Sequence, residues 1–513
     1  MTNGVWRRRR RALIASAATL ALLVPLGWLW TTSLVPGTYS VMEMGYVDFG
    51  GGPRSLAYAA ENGRVQGAAS SHVVHGEAAA SGDLRDVTTL TGPRDGEPDV
   101  AVTLTARQEA VELDGGDGID GYTLNHESPG PEIRAVQGDL VEVTLVNESV
   151  ADGATLHWHG VDVPNAEDGV AGVTQDAVGP GEEHVYRFVA EDAGTYWYHS
   201  HQVSHEQVRG GLFGVLVIEP QDGPGAEVTD VVAAVHSYDS QRTVNGRVGE
   251  TPVPAEPGNV VRVRVINTDD GPMRTWVAGA PYRVVAVDGR DLNGPTDIED
   301  TAVLVTAGGR ADLELTVPDD GAVRVGAGGG TSLVIGPDGA PAPGTDQPTS
   351  DLDLLSYGER QPLDLGVDNP DREFDYAIGR RPGFLDGRPG LWWTINGGMF
   401  PGVPMYVVAE GDVVVMTISN SSGQVHPMHL HGHHAVVLSR NGVEATGSPW
   451  WVDSLNVADD ETYEIAFLAD NPGVWMDHCH NLPHAAEGLV THLMYEGITT
   501  SLLVGGDAGN EPE

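Results

Sequence analysis

Ten of the nineteen histidines and the only cysteine of this 513-residue chain are confined to four short segments. Each segment contains a His-x-His pair. Side chains alternate along an extended strand, so both imidazoles of such a pair face the same side. Neutral imidazole binds copper, zinc, iron and nickel. The spacing therefore predicts metal ions held between strands by four segments: His157–Gly160, His199–His201, His426–His431, and His478–His480 followed by His484.

The cysteine adds a second kind of donor. One thiolate with two imidazoles in a trigonal arrangement is diagnostic of a blue-copper electron-transfer site, and Cys479 with His426 and His484 offers that set. On a strand the Cys479 thiol points to one side and the imidazoles of His478 and His480 to the other. One tripeptide can therefore contact two metal centres. A single His-x-His pair is weak grounds for a metal site, whereas four of them, one enclosing the cysteine, predict one.

The four segments, in this order and placement, resemble those of the multicopper oxidases over residues 98 to 502. The resemblance implies an all-β fold of three consecutive cupredoxin-like Greek-key β-sandwich domains, and four copper ions: one type 1, one type 2 and two type 3. It implies His426, Cys479 and His484 as type 1 ligands and His157 and His429 as type 2 ligands. It assigns one type 3 copper to His159, His199 and His480 and the other to His201, His431 and His478.

Two further positions follow from the resemblance. The axial position of the type 1 copper lies ten residues after the cysteine, which is Leu489, where many members have Met. Loss of a thioether ligand should raise the reduction potential. Leu489 as a plain core side chain and Met494 as the axial residue are the alternatives. Asp168 resembles the family's carboxylate near the copper cluster, which helps to supply protons, and a solvated turn aspartate is the alternative.

The chain departs from the family at one point of the predicted proton route. Many members carry an acid directly after the second type 1 histidine, but Ala485 follows His484 here, with Glu487 two positions further on. The sequence therefore leaves the route of protons to the cluster unassigned. We expect Asp168, Cys479 and His484 to be the residues that carry the reaction.

The elements that position these residues are predicted to be short strands. Gly (68) and Pro (33) are abundant, and Val-rich apolar runs are spaced by turn signals. The length requires several domains. A Gly followed nine residues later by Asn recurs from Gly138, Gly258 and Gly411, which suggests a repeated domain. We expect domains at 98–225, 226–350 and 371–502, with a linker at 36–97 and a tail at 503–513.

The first 35 residues predict a membrane anchor or signal segment. Arg7–Arg11 precede the charge-free stretch Ala12–Trp30, which as a helix reaches about 28 Å, roughly the thickness of the bilayer hydrocarbon. Positive charge before the apolar run places the following chain outside the cytoplasm. Trp28 and Trp30 lie where interfacial anchors are found, so an uncleaved anchor is favoured. The protein is expected on the outer face of the cytoplasmic membrane, anchored, or else secreted.

Charge and cysteine content exclude several classes. The formal net charge is −45, with 73 acidic residues against 28 basic ones, all of them Arg. Such a chain repels nucleic acid and anionic lipid headgroups. With one cysteine, no disulfide can form within the chain. We therefore expect no nucleic-acid partner.

The resemblance predicts a laccase-like copper-dependent oxidoreductase that couples one-electron oxidation of phenolic or other small reductants to reduction of dioxygen to water. A metallo-oxidase of cuprous, ferrous or manganous ions is the alternative within this class. The ten Met form no dense cluster, which disfavours a methionine-rich cuprous site. A non-catalytic copper-binding cupredoxin scaffold is the alternative from another class. Trp450 and Trp451 are candidates for an aromatic wall where the reductant docks.

Overall fold

The computed structural model describes residues 2–51, 84–223 and 228–513. Helix α1, Thr2–Thr32, confirms the expected N-terminal apolar helix and contains Pro25. Within the described residues it is the one helix whose length and composition would allow it to cross a membrane, over Trp6–Thr32. Two short helices follow, α2 at Ser204–Gln207 and α3 at Leu482–Ala486.

The rest of the described chain is built mainly of strands, as expected. Two four-stranded sheets form the first sandwich, from the strands Val100–Val111, Ile119–Leu124, Gly130–Val136, Leu140–Asn147, His157–His159, Glu183–Val189, Gly194–His199 and Phe213–Glu219. The second sandwich has seven strands in one sheet and six in the other. They are Val228–Tyr238, Gln241–Val244, Arg247–Val248, Glu250–Pro254, Val260–Asn267, Met273–Ala278, Tyr282–Val287, Arg290–Asp291, Thr301–Val305, Arg310–Thr316, Val323–Gly326, Ser332–Gly336 and Ser350–Asp351.

The third sandwich carries the cysteine. Its strands are Arg372–Leu385, Arg388–Ile395, Pro404–Val408, Val413–Asn420, His426–Leu430, Ala435–Arg440, Val443–Glu444, Trp451–Val452, Ser454–Val457, Thr462–Leu468, Val474–Cys479 and Val490–Tyr495. Each sandwich closes over a core of buried aliphatic and aromatic side chains, and a further apolar cluster joins the first sandwich to the second.

The Gly-to-Asn pattern marks the same element in each sandwich. Leu140–Asn147, Val260–Asn267 and Val413–Asn420 each pair parallel with the first long strand of their sandwich and antiparallel with a later strand. The three Asn side chains are buried and donate to backbone carbonyls at the strand end. The repeat predicted from sequence therefore recurs in the structure. In each sandwich the Asn side-chain amide donates to backbone carbonyls that would otherwise be buried without a partner.

The segments predicted as linker and tail are packed where they are described. Thr38–Tyr39 pairs with Val504–Gly505, and Tyr46–Asp48 pairs with Pro404–Val408 at the edge of a sheet of the third sandwich. Arg85–Asp86 pairs with Ile498–Thr499. Residues 52–83 of the expected linker lie outside the described residues. The described ends of this stretch therefore pair with the third sandwich, with the segment that follows it and with the tail, which their lack of periodicity did not indicate.

Candidate metal centre

The first sandwich contributes four histidines, three on two adjacent strands and one just after them. His157–His159 pairs antiparallel with Gly194–His199, and this register sets His157 opposite His199. Alternation along the first strand turns Trp158 into the core, where its ring lies 4.8 Å from that of Phe188, and leaves the two imidazoles on the other face. His201 follows two residues after the second strand ends.

The third sandwich contributes the other six histidines and the cysteine. His426–Leu430 pairs with Val474–Cys479, which sets His429 opposite His478 and Met428 opposite Cys479. The last of these histidines, His484, lies on α3, the short helix that follows the strand. Because side chains alternate along a strand, the Cys479 sulfur and the His478 imidazole point to opposite sides of the sheet, each on the side of its cross-strand partner.

The structure brings Cys479, His426 and His484 together in one group. The Cys479 Sγ lies 3.6 Å from the His426 Nδ1 and 3.8 Å from the His484 Nδ1. A metal bound at about 2.3 Å from sulfur and 2.0 Å from nitrogen, with angles near 120°, holds these donors about 3.7 Å apart. The donor set therefore fits a trigonal copper. Cys479 and His426 are fully buried, whereas His484 is partly exposed.

The remaining eight imidazoles converge between the first and third sandwiches. Two clusters of three have donor atoms within 4.8 Å of one another, namely His159, His199 and His480, and His201, His431 and His478. Their members are the residues that the resemblance implies for the two type 3 coppers. The Nε2 atoms of His157 and His429, the predicted type 2 pair, lie 3.4 Å apart.

Several of these rings have one nitrogen engaged and the other free. The Nδ1 of His199 bonds to the carbonyl of Ser200 and that of His201 to the carbonyl of Pro512, each at 3.0 Å. Their Nε2 atoms are buried without a partner, and so are both ring nitrogens of His480. Buried polar atoms are rarely left without a partner, so unpaired nitrogens aimed at one another are what a metal site requires.

Burial keeps these imidazoles in the neutral form that can bind a metal. Burial, reinforced by neighbouring imidazoles, holds the pKa of one set well below its usual value: His159, His199, His201, His429, His431 and His480. Burial also lowers the pKa of His426 to about 3 and that of His484 to about 4. Neutral imidazole is the form that ligates. Burial raises the pKa of the Cys479 thiol, so metal binding must displace its proton.

Asp168 is buried beneath the cluster and is no solvated turn residue. Its Oδ1 lies 3.0 Å from the His157 Nδ1, and its Oδ2 lies 3.1 Å from the His431 Nδ1. The following Gly169 has a φ of +75°, and a Cβ there would lie 1.8 Å from the carbonyl oxygen of Leu156. Glycine at this position is therefore what lets the turn bring the carboxylate beneath both rings.

The structure decides between the two candidates for the axial position. The Cys479 amide donates to the Leu489 carbonyl at 3.1 Å, so the two residues are neighbours across the strand pair, and Leu489 is buried. Met494 lies opposite Val474, five residues along the strand from Cys479, or roughly 16 Å away. Met494 is therefore too far along the strand to reach the sulfur, and Leu489 is the buried candidate whose backbone adjoins that of Cys479.

Among the ring contacts of the described residues, those of His426 and His484 are to Trp393 and to each other, and neither Trp450 nor Trp451 is among them. Trp450 packs between the cores of the second and third sandwiches. The ring beside the cysteine group is Trp393, whose centroid lies 4.8 Å from that of His426 and 4.5 Å from that of His484. Its Nε1 donates to Glu487 at 2.9 Å. Glu487 thus lies on the side of the cysteine group, away from the histidine cluster.

The second sandwich, which carries no predicted donor, still contributes to the cluster. The Arg310 guanidinium forms a two-pronged ion pair with Asp453, at 2.7 and 2.5 Å, and both side chains are fully buried. Asp453 Oδ1 lies 3.1 Å from the His159 Nε2, and its carbonyl accepts from the His429 Nδ1 at 2.9 Å. Gly308, with a φ of +78°, lies against the rings of His159 and His480, where a Cβ would come within 2.9 Å of both.

The tail also reaches the cluster. The Glu513 Oε1 lies 2.9 Å from the His478 Nδ1, and its Oε2 accepts from the Ser204 hydroxyl at 2.6 Å. Glu513 and Ala485 line one mostly apolar cavity of about 140 Å³. A carboxylate is thus present near the cluster although none follows His484. No local pattern could have indicated this contact, because it joins residues 35 positions apart through the tail's own fold.

Comparisons with known proteins agree with this geometry. Two regions, residues 105–223 and 372–497, match family models described as multicopper oxidase. Multicopper oxidase MmcO of Mycobacterium tuberculosis is 27% identical over 80% of this chain and 90% of its own length. Laccase-1 of Botryotinia fuckeliana is 29% identical over 73% and 78%. Iron transport multicopper oxidase FET3 of Candida albicans is 27% identical over 72% of each chain.

A solved structure gives the same result for the fold. The multi-copper oxidase from Pseudomonas thermotolerans superposes with a TM-score of 0.64 at 26% identity, covering 77% of this chain and 98% of that one. The three sandwiches are therefore cupredoxin-like domains. Members of the family are copper oxidoreductases with dioxygen as acceptor. Matching sequence models, a shared fold and donor groups of the required composition together place this chain in the multicopper oxidase family.

Proposed function

We propose that the protein is a laccase-like oxidase that couples one-electron oxidation of phenolic or other small reductants to the four-electron reduction of dioxygen to water. The observation that carries the proposal is the sorting of ten imidazoles and one thiol into a mononuclear group and an adjoining cluster. A non-catalytic scaffold would not need so complete a donor set in so dense an arrangement.

The donors are assigned as follows. His426, Cys479 and His484 would hold a type 1 copper, with Leu489 beside the sulfur in place of a thioether. His157 and His429 would hold the type 2 copper. His159, His199 and His480 would hold one type 3 copper, and His201, His431 and His478 the other. When bound, the four coppers supply one-electron redox chemistry at the mononuclear site and the reduction of dioxygen at the cluster.

The chain's own residues connect and orient these sites. Cys479 is bonded through the backbone to His478 and His480, so a short covalent path runs from the mononuclear group to both type 3 groups. His484 is the partly exposed member of its group and is where we place the docking of the reductant. Asp168, which touches a type 2 and a type 3 ligand, orients both rings and is our candidate for moving protons into the cluster.

The N-terminal helix supports a location outside the cytoplasm. Five arginines precede its apolar stretch, and side chains throughout that stretch are exposed, so α1 would anchor the oxidase to the outer face of the membrane. A metallo-oxidase acting on ferrous ions is the second candidate, and it is supported by the relative named for iron transport.

Oxygen uptake by the copper-loaded full chain tests the proposal. Phenols, ferrous, manganous and cuprous ions are supplied separately, with copper content measured beside activity. We expect four coppers per chain, uptake with phenols, and loss of uptake in Cys479→Ser. His126→Gln, which alters an exposed imidazole outside the donor groups, should behave as the parent. Uptake that survives Cys479→Ser, or no uptake with any reductant, would reject the proposal.

A further inference from the structure

A two-stranded ribbon next to the mononuclear group is the feature that the proposed function does not use. Strand Arg372–Leu385 pairs with Val413–Asn420 only as far as Ile378, while its pairing with Arg388–Ile395 continues to the turn at Asp386–Gly387. Residues 379–394 therefore project beyond the sheet. At the root of this ribbon Trp393 contacts the rings of His426 and His484.

The tip of the ribbon is bonded to the end of α1. The Trp30 Nε1 donates to the Gly387 carbonyl at 3.1 Å, and the Asp386 amide donates to the Ser33 carbonyl at 2.9 Å. The Gly387 amide donates to the Ser33 hydroxyl at 3.2 Å. Three hydrogen bonds thus hold the C-terminal end of the apolar helix against this ribbon.

The ribbon also bends back toward the mononuclear group. A Cβ at Gly488 would lie 2.6 Å from the Phe400 Cβ and 3.8 Å from the Leu385 Cδ2, so both side chains cover the loop between His484 and Leu489. The Phe400 ring in turn lies 6.2 Å from that of Tyr39, just after α1. The end of the helix and the site of reductant docking therefore lie on the same side of the molecule.

The surface of the ribbon differs from the rest of the protein. Arg380, Arg381 and Arg388 are exposed, and none of them lies within ion-pair distance of a carboxylate among the described residues. Leu391 is 51% exposed. The Arg380 guanidinium lies over the Trp393 ring, 5.4 Å from its centroid. In a chain of net charge −45, a ribbon that combines three guanidinium groups outside ion pairs with an exposed leucine suits the interface of an anionic bilayer.

We propose that this ribbon rests on the outer leaflet of the bilayer that α1 crosses, and that the mononuclear site takes electrons from a reductant dissolved in that bilayer, of the hydroquinone class. The inference rests on the proposed oxidase function. Two hydroquinones each lose two electrons and two protons and become quinones, and one dioxygen takes up the four electrons and four protons and becomes two waters.

Fluorescent labels test the contact with the bilayer. The full chain is placed in vesicles of phosphatidylcholine and phosphatidylglycerol after an environment-sensitive dye is attached to Leu391→Cys, or to Val443→Cys as the control. Val443 is 62% exposed at the opposite edge of the same sheet, and Cys479 is too buried to react. We expect brominated lipids to quench the dye at 391 and not at 443. Equal quenching at both positions, or none at 391, overturns the proposal.

Kinetics test the substrate class. Oxygen uptake is compared for a hydroquinone carrying a long isoprenoid chain and for the same ring without the chain. Arg388→Glu should raise the KM for the lipid-dissolved form about fivefold. The KM for the short form should equal that of the parent. Arg360→Glu, an exposed charge outside the ribbon, should change neither. Uptake with the short form alone would reject the inference while the oxidase function stands, whereas no uptake with either form would reject that function.

Discussion

At the scale of single residues, the residue that we propose for the axial position of the mononuclear group is aliphatic. The Leu489 carbonyl accepts from the Cys479 amide, so the position of Leu489 next to the cysteine follows from the strand register rather than from any affinity for metal. A leucine offers no lone pair to stabilise oxidised copper, so the reduced state becomes more stable relative to the oxidised state. The site should therefore accept electrons from poor reductants.

Leu489→Met tests this interpretation. The thioether should lower the reduction potential of the mononuclear copper by about 60 mV or more, a tenfold change in a one-electron equilibrium. Redox titration of the visible absorption band measures it. Leu493→Met is the matched control, because Leu493 is buried on the following strand but lies opposite Trp475, away from the sulfur. A potential that moves equally in both variants, or in neither, would contradict the assignment.

Asp168→Asn addresses the cluster. The carboxylate accepts from the Nδ1 of two imidazoles, and an amide presents only one acceptor oxygen, so one ring loses its orientation. Losing such a partner costs 10- to 100-fold in activity or metal affinity, roughly. We expect oxygen uptake to fall by that factor while the mononuclear copper is still reduced at the parent rate. Asp152→Asn, an exposed aspartate of the same domain, should leave both rates unchanged.

At the scale of elements, what the sequence could predict depends on how local the signal is. Eight of the ten histidines were indicated by the strand's side-chain period of two, which acts within three residues. The three repeated strands were indicated by a Gly and an Asn nine residues apart, which is also a local spacing. Contacts such as Pro512 with His201, Glu513 with His478 and Arg310 with Asp453 join distant parts of the chain, and nothing near either partner in sequence marks them.

The tail is the element whose role was least visible. Two hydrogen bonds join it to the loop after the second ligand segment. The Val203 amide donates to the Glu511 carbonyl, and the Glu511 amide donates to the Gln202 side-chain oxygen. Through Pro512 and Glu513 it then touches two of the three imidazoles of one predicted type 3 group. The hydrogen bond to Pro512 leaves the Nε2 of His201 for the metal, and the Glu513 carboxylate lies beside the Nδ1 of His478.

Deleting residues 511–513 should therefore weaken one type 3 site selectively. We expect the variant to keep the visible band of the mononuclear copper, to lose roughly one copper per chain, and to bind it 10- to 100-fold more weakly than the parent. Metal analysis with spectroscopy of the two copper classes measures this. Glu511→Ala, which keeps the backbone contacts, is the control. Full copper content in the deletion would show that the tail only covers the site.

At the scale of the whole molecule, acid should destabilise the copper-free protein. Burial keeps the imidazoles of the cluster neutral in the folded chain, whereas in the unfolded chain they titrate near their usual pKa of 6.5. Below that pH the unfolded chain binds more protons, and each imidazole contributes a loss of about 1.4 kcal/mol per pH unit.

Buried carboxyls oppose this trend. Burial raises the pKa of Asp288 and Asp477 to about 7, and groups of this kind favour the folded state as pH falls. The shifted imidazoles outnumber them, so we expect the free energy of unfolding of the copper-free chain to fall between pH values of about 6.5 and 5.5. Urea unfolding at a series of pH values measures this. A stability that is flat or rising toward acid would contradict the expectation.

The second sandwich explains why three domains are needed when only two supply donors. Arg310 and Gly308 extend from it to the cluster, and Arg310 neutralises Asp453, which contacts His159 and His429. Arg310→Met leaves a buried carboxylate without its partner, and removal of one member of such a pair costs about 3–5 kcal/mol. We expect that loss in urea unfolding, together with lower copper content.

Arg310→Met combined with Asp453→Asn removes both charges and should recover part of the stability. It should not recover the copper, since the carboxylate that orients the His159 ring is gone. If the double variant regained full copper content, the second sandwich would act as a spacer alone.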